Sequence, residues 1–550
     1  MFKKDKINYF FLLAVFSVIF LIMLPFKDQL FSEDFAYAQS VRHLINTGDL
    51  KLSERVAPTS ITLIVWGAIF TKIFGFSLAN LHLSVVVLVP FLLIALYKLF
   101  NLTGCGKQKS LIFSLFFLSI PWILQLSYTF LSDVPFLTLE VLAILFYLSG
   151  LKKESARDIF FGSVFASGAF LIRQLGLIIP LAAFIVLLLN QKTPRQKLKY
   201  FFLNISIPLL TILVYLWWLS NPANKTIAQY AVIEEFKDIY FHPQLSIWLQ
   251  NIARVIHRTL NFVSQAQVLF FPIVLLFIFS NWQKAIQLLV KNKISFAVVL
   301  IITACVYALD IINFRQEYTF GFPLLIYEYE NLLPIPWAHI WKYMVLLSLP
   351  VLSFSIYKQH KNIFNLDKFG QFLFLNFILL TILTVTHVAS WDQYIIPFLP
   401  LILLWIASLT KKLKINGKLA IIVVAILLLD SVQMTKLRYG QSGFVWEKSM
   451  QLVNSGISPA EVDANNNFGW YYWFYYEKLA SDSIESNDSN KDGANYGFMI
   501  NKPESPKYRI YTPSMVYYTN PDTANYKIEI IPIRSLVVNS KIYFMQLNEK

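Results

Sequence analysis

Charged residues are scarce in this sequence of 550 residues. They make up 14% of it, whereas a typical soluble domain has about 25%. Apolar residues make up 56% and the mean hydropathy is +0.55. The apolar residues are gathered in runs of roughly 16 to 20, for example at 9–26, 81–100 and 201–219, which is long enough to cross a bilayer. The composition therefore excludes an ordinary soluble enzyme and predicts a polytopic membrane protein.

The sequence also has few cysteines. It contains two, Cys105 and Cys305, and neither belongs to a Cys-x-x-Cys motif or a Cys/His cluster. This pattern excludes a metal or redox site built on cysteine. The topology derived below places the two cysteines near opposite membrane faces, so we expect no disulfide between them.

Acidic residues are fewer than basic ones, 32 against 47, which gives a formal net charge of +15. We expect no nucleic-acid partner, because no zinc finger, helix-turn-helix or basic stripe with interleaved aromatics is present. The basic residues instead form short clusters between the apolar runs, as the positive-inside rule expects of cytoplasmic loops. The clusters that we assign to the cytoplasm lie at 3–6, 107–109, 152–157, 192–199, 284–293, 358–368 and 411–418.

The first apolar run follows Lys3, Lys4 and Lys6 and has about 18 residues, more than the roughly 7–15 of a signal-peptide core. We therefore expect an uncleaved first helix with its amino end in the cytoplasm.

One apolar run conflicts with the charge pattern. If 58–75 crossed the membrane, Lys107 and Lys109 would fall outside. The run begins with Pro58 and contains Lys72, and it fits a helix lying on the outer face. We expect 28–79 to be one long extracytoplasmic loop with interfacial helices, and about 13 spans in all, which places the carboxyl end outside. The spans are expected at roughly 8–27, 80–100, 109–128, 136–150, 158–173, 175–190, 201–219, 265–280, 294–310, 342–357, 369–387, 394–410 and 419–435.

The composition changes near residue 438. Beyond it no run is long enough to span, Asn, Ser, Tyr and Asp are common, and short β-like runs occur at 507–512, 527–533 and 541–547. The sequence therefore predicts an all-α polytopic domain at 1–437 and a small extracytoplasmic α/β or β domain at 438–550.

The few acidic residues are informative because of where they lie. On this topology Glu33, Asp34 and Asp133 lie on the outer side next to the membrane, and Arg173 lies at an outer turn. Glu140 falls inside a span, where it needs a polar partner or an interior position. This pattern suits an interfacial enzyme for a lipid phosphate, with a carboxylate as base and an arginine holding the phosphate. A transporter would instead have ionisable residues near the bilayer midplane.

Each of these residues also has a simpler interpretation. Glu33 and Asp34 could form a solvated loop surface. Asp133 could cap a helix that has Pro135 in its first turn, and Arg173 could reach lipid headgroups. These alternatives stay open at the level of single residues.

Five motifs occur in the order found in a known family. They are a Glu-Asp pair with a following Tyr and Gly turn (32–50), a helix opened by Pro and closed by Phe-Gly (58–75), Ser-Asp-Val-Pro (132–135), Arg-Gln-Leu-Gly (173–176), and Trp-Asp-Gln-Tyr with two later prolines (391–400). Together they resemble the GT-C membrane glycosyltransferases, in the branch of the aminoarabinose transferase, the protein O-mannosyltransferases and the Rgt-type sugar transferases. The chain departs from the family pattern at Glu33, Thr59 and Gln393, where Asp, Pro and Arg are usual.

The resemblance implies a GT-C fold and transfer of a sugar from a polyprenyl-phosphate donor to an acceptor hydroxyl on the outer side, by one inverting displacement. The family's catalytic acid maps onto Glu33 and its second acid onto Asp34, so we expect both in the catalytic site, with either one as the base. Asp133 maps onto a substrate-positioning motif, and Arg173 is the candidate for the donor phosphate.

Two further substrate-binding candidates follow Asp34. Tyr37 and Arg42 lie at helical spacing from it, which places them along a short interfacial helix.

Several points stay open. A divalent metal is possible without being required, and the acceptor could be a lipid, a glycan or a protein. Residue usage favours a bacterial plasma membrane. The alternative functions are a transporter or flippase of lipid-linked sugars, which would need a midplane charge pathway, and a scaffold whose outer acids tolerate alanine.

Overall fold

A computed structural model describes most of the helical part of the chain. The described residues are 5–24, 26–31, 34–53, 56, 59–190, 193–226, 269–281, 367–386, 395–411, 413–464, 507–511, 526–534 and 539–548, with a few isolated positions between 229 and 297. The expected spans at 294–310 and 342–357 lie outside these residues.

The described part of the chain is mostly helical. Its α-helices are α1 (Lys6–Met23), α2 (Asp34–Thr47), α3 (Ile61–Phe74), α4 (Leu78–Val86), α5 (Val89–Leu102), α6 (Lys107–Leu118), α7 (Pro121–Ser127), α8 (Asp133–Lys153), α9 (Ala156–Phe170), α10 (Ile178–Asn190), α11 (Pro194–Ser220), α12 (Leu269–Ser280), α13 (Lys368–Thr386), α14 (Phe398–Leu409) and α15 (Gly417–Asn454).

Five of the described helices or helix pairs are long and apolar enough to cross a membrane, or six if the bent pair α6 and α7 is one span. Large apolar side chains also remain exposed along their surfaces, such as Ile7, Phe10 and Trp217, at 75%, 73% and 76%. Since soluble proteins rarely expose broad apolar surface, these faces suit contact with lipid. The chain is a multi-pass membrane protein.

Proline divides two of the expected spans. The run expected as one span at 109–128 forms α6 and α7, whose axes differ by 67°, and Pro121 opens the second of them. Similarly, the span expected at 80–100 is built from α4 and α5, with Pro90 in the first turn of α5. Proline lacks the N–H of a continuous helix and clashes with the preceding turn, so it is tolerated at a helix start.

The basic clusters expected in the cytoplasm meet at one end of the helical bundle. Lys107 Nζ lies 2.6 Å from Asp5 Oδ1, and Lys109 Nζ donates to the Thr410 carbonyl at 2.9 Å. Lys368 pairs with Glu154 at 3.0 Å. Linkers that are far apart in sequence therefore share one face of the bundle, as the charge pattern predicts.

The loop helix α3 begins and ends at the opposite end. At its start, Thr62 N donates to the Leu171 carbonyl at 3.0 Å. Just past its end, Asn80 Nδ2 donates to the Gly75 carbonyl at 2.9 Å, and Ala79 N donates to Asp28 Oδ1 at 2.8 Å. Since Asp28 follows the carboxyl end of α1, these contacts are the ones expected of a helix that does not cross.

An apolar core holds the loop helices onto the bundle. Phe35 and Val41 of α2 and Leu63 of α3 are fully buried in one cluster with Phe130 and Tyr439. The loop helices are therefore part of the packed end of the bundle opposite the basic clusters, because each buries one apolar face against the span ends.

Helix α15 continues 16 residues past position 438, since it ends at Asn454. A four-stranded sheet follows, made of β1 (Val462–Ala464), β2 (Tyr508–Tyr511), β3 (Tyr526–Arg534) and β4 (Asn539–Leu547) in the order β1-β2-β4-β3. The β1–β2 pair is parallel and the other two pairs are antiparallel. The apolar core of the sheet packs on Val445 of α15. Strands β2 to β4 lie where the sequence predicts β-like runs, whereas a separate extracytoplasmic domain stays a prediction.

Candidate functional site

Asp34 is the first residue of α2 and is completely buried. Its Oδ1 accepts a hydrogen bond from the backbone N–H of Phe31 at 2.8 Å, and its Oδ2 lies 2.9 Å from Nε2 of His82. Burial raises the pKa of this carboxyl above its ordinary value, while the bonds from His82 and the backbone oppose that rise. The carboxylate is thus a buried acid held on both oxygens.

His82 belongs to α4 and is a residue that sequence reasoning missed. Its side chain is as fully buried as that of Asp34. A lone histidine in an apolar helix has no spacing signal of its own, and its partner is 48 positions earlier. The signal available was a single ionisable residue among the leucines and valines at 81–89.

Aromatic rings surround this pair. Tyr439 of α15 lies with its ring centroid 6.2 Å from that of His82, 6.4 Å from Phe31 and 6.3 Å from Tyr128. Its hydroxyl donates to the Lys27 carbonyl at 3.3 Å. The long last helix therefore packs directly on the segment that leads into Asp34.

The second charged pair joins two motifs that the sequence treats separately. Arg173 Nη2 lies 2.8 Å from Asp133 Oδ1 and also bonds to Ser132 Oγ at 2.9 Å. The Asp133 side chain is 2% exposed and that of Arg173 is 14% exposed. Asp133 lies in the first turn of α8, and Ser132 at the helix cap makes no side-chain cap bond. The Asp133 carboxylate instead pairs with Arg173.

Glu140 lies two turns further along α8 and is buried, as expected for a carboxylate inside a span. Its Oε2 has no hydrogen-bond partner among the described residues.

Loop packing connects the two charged pairs. A side chain at Gly67 of α3 would lie 3.0 Å from Val41 of α2 and closer still to the Phe130 ring, just before Ser132. The start of α3 bonds to Leu171, just before Arg173. Glycine at 67 lets α2, α3 and the 128–133 segment pack closely, so both pairs belong to the same end of the bundle.

The remaining candidates are placed as follows. Tyr37 and Arg42 are half-buried on α2. Glu33 and the motif at 391–394 lie outside the described residues. Across the part of the chain that the structure describes, no group of three or more His, Cys, Asp or Glu could hold a metal ion, so we derive no step through a metal.

The fold and the site define a class of protein: a multi-pass membrane protein with buried carboxylates held by His and Arg at one end of the bundle, over a long first loop. Residues 62–218 match the Dolichyl-phosphate-mannose-protein mannosyltransferase family, and this stretch contains His82, Asp133 and Arg173. The resemblance to GT-C membrane glycosyltransferases is confirmed.

Solved structures with similar folds were also found. ArnT from Cupriavidus metallidurans bound to undecaprenyl phosphate is 10% identical, with 97% of each chain covered and a TM-score of 0.45. AglB from Archaeoglobus fulgidus, an archaeal oligosaccharyltransferase in complex with an inhibitory peptide and a dolichol-phosphate, is 13% identical over 90% of this chain and 62% of that chain, with a TM-score of 0.43. A comparison with curated proteins found no match.

Proposed function

We propose that this chain is a membrane glycosyltransferase that moves a sugar from a polyprenyl-phosphate donor to an acceptor hydroxyl on the outer side of a bacterial plasma membrane. The observation that carries the proposal is the pair of charged contacts, Asp34–His82 and Asp133–Arg173, at the end of the bundle opposite the basic clusters. Acid and cation thus lie at one end of the bundle, and transfer from a lipid phosphate needs both groups.

The reaction would be one inverting displacement. The acceptor hydroxyl loses its proton to a loop carboxylate as its oxygen attacks the anomeric carbon, and the bond from that carbon to the lipid-phosphate oxygen breaks. The free polyprenyl phosphate leaves with the electron pair of that bond. A positioned base contributes roughly 10²- to 10⁴-fold to such a step.

We assign the base to Glu33 and a positioning role to Asp34. Asp34 is 0% exposed and both of its oxygens have partners, so it is poorly placed to receive a proton from an incoming hydroxyl. The backbone N–H of Phe31 donates to the Asp34 carboxylate, and the backbone N–H of Asp34 donates to the Phe31 carbonyl at 3.2 Å. These two bonds join the residues on either side of Ser32 and Glu33. Asp34 therefore fixes the chain directly after Glu33 in the sequence.

Arg173 is proposed to bind the donor phosphate. A guanidinium is planar and matches phosphate oxygens with paired N–H donors. Asp133 and Ser132 hold it from one side at 2.8–3.0 Å, which fixes the direction of the fork before the donor arrives. Tyr37 and Arg42 are proposed to contact substrate from α2.

The test is sugar transfer by membranes from cells that express wild type, Glu33→Gln or Asp34→Asn, supplied with a panel of polyprenyl-phosphate sugars. Expression and insertion are checked in parallel. Glu33→Gln should lose roughly 10²-fold or more, and Asp34→Asn should lose less. Full activity of both variants alongside an active wild type would show that the outer acids are only a loop surface.

The second candidate is a flippase or transporter of lipid-linked sugars. The one observation that favours it is Glu140, a carboxylate buried inside α8 with an oxygen lacking a partner among the described residues. Movement of the donor between leaflets without release of polyprenyl phosphate would support this alternative.

A further inference from the structure

We propose that His82 is a positioning residue for the reaction: its imidazole holds the carboxylate of Asp34, the residue that follows Glu33 directly in the sequence. This inference rests on the proposed function and adds to it a residue on a different helix. It starts from one contact, in which Nε2 of His82 lies 2.9 Å from Oδ2 of Asp34 with both side chains fully buried.

The hydrogen in this contact belongs to the imidazole when Asp34 is ionised, because an ionised carboxylate only accepts hydrogen bonds. The other ring nitrogen, Nδ1, is buried without a hydrogen-bond partner among the described residues. A lone pair there costs less than a buried N–H with no acceptor. Nε2 of His82 is thus the donor and the Asp34 carboxylate is the acceptor.

The histidine is itself held in place. Its helix α4 starts at a capped turn in which Ser77 Oγ accepts from Asn80 N at 3.0 Å, and Asp28 Oδ1 accepts from Ala79 N. On the far side the Tyr439 ring stands at 71° to the imidazole. The donor therefore comes from a rigid helix, whereas the acid it holds begins a loop helix, which is the arrangement expected for a positioning contact.

The described ionisable residues near the pair include two tyrosines, an aspartate and a lysine. Tyr439 faces it from α15 and Tyr128 lies beside Tyr439. Asp28 lies at the start of α4, and Lys27 offers its carbonyl to Tyr439. The partners of the two Asp34 oxygens are His82 and the Phe31 N–H. Removing His82 therefore takes away the main group that opposes the effect of burial on the pKa of Asp34.

The first test is kinetic. His82→Phe should lower kcat roughly 10- to 100-fold, the range for a hydrogen bond to a charged group, with KM for the donor little changed. His82→Gln retains an N–H donor and should recover part of the rate. Without His82 the pKa of Asp34 rises further, so the acid limb of the pH–rate profile should move to higher pH. A residue that only fills space would lower the rate equally at all pH values. His43→Phe in the same loop is the matched control.

The second test needs no activity and separates this inference from the proposed function. The free energy of unfolding of purified protein is measured for wild type, His82→Phe, Asp34→Asn and the double variant. A cost for His82→Phe that shrinks in the Asp34→Asn background supports the contact. Additive costs together with an unmoved acid limb would overturn the inference. Coupled stability with no transfer by any variant, wild type included, would keep the contact and reject the transferase.

Discussion

The Asp133–Arg173 pair makes an asymmetric prediction about stability. Arg173 contacts Asp133 of α8 directly at 2.8 Å. Replacing Arg173 by Met therefore leaves a buried acid without its cation. Asp133→Asn, by contrast, leaves Arg173 with an amide oxygen to bond to, and with Ser132.

The magnitude follows from burial. The two side chains are 2% and 14% exposed, and breaking a buried pair from one side costs about 3–5 kcal/mol. We expect Arg173→Met to lower the free energy of unfolding by about that amount, and Asp133→Asn by about 1–2 kcal/mol, the usual effect of weakening one charged hydrogen bond.

The assay is equilibrium unfolding of purified protein in mixed detergent–SDS micelles. Lys27→Met is the matched control, since Lys27 pairs with Glu447 at 2.7 Å but both side chains are about half exposed, at 51% and 52%. Solvent-exposed pairs contribute at most about 1 kcal/mol. A larger loss for Asp133→Asn than for Arg173→Met, or equal losses for Arg173→Met and Lys27→Met, would refute the reasoning.

Three further predictions can be measured with the same protein. Because burial raises the pKa of Asp34 in the folded state, ionisation of Asp34 opposes folding as pH rises. Asp34→Asn should therefore be at least as stable as wild type at pH 7.5, and the difference should shrink toward pH 4 in a pH series of unfolding curves. An opposite slope would contradict this. Gly176→Ala should destabilise the turn after Arg173, because a Cβ there would lie 2.6 Å from the Ala169 carbonyl carbon. Gly440→Ala should instead stabilise α15 by about 0.5–1 kcal/mol, because a Cβ at this position has nothing within 4 Å. Equal thermal shifts for the two variants would contradict this. With native cysteines replaced, a cysteine at the exposed position Asp49 should react with an impermeant maleimide on intact cells, and one at the exposed Lys152 only after lysis; the reverse pattern would invert the topology.

The sequence predicted the elements that depend on local signals. Apolar runs and the charge clusters between them predicted a multi-pass membrane protein, and motif order identified the family resemblance. Asp34, Asp133 and Arg173 stay predicted site residues. The charge pattern predicted that the helix at 58–75 does not cross the membrane. In the structure, the start of this helix contacts Leu171 and its end contacts Asn80, and both contacts lie at one end of the bundle.

What the sequence did not show depends on contacts between distant residues. His82 contacts Asp34 although 48 positions separate them in the sequence, and Arg173 contacts Asp133 although 40 positions separate them. No local sequence pattern predicts either contact. Hydropathy ended the last span near 435, whereas α15 continues to Asn454 because its polar half packs on the first loop through Tyr439 and on the sheet through Val445.

Release of free polyprenyl phosphate tests the central claim most directly. Purified protein in liposomes is given a panel of polyprenyl-phosphate sugars with candidate acceptors, and both the released lipid phosphate and donor movement between leaflets are measured. The account predicts release that depends on acceptor and falls roughly 10²-fold in Glu33→Gln. Movement of intact donor between leaflets, with no lipid phosphate released from any member of the panel, would contradict it.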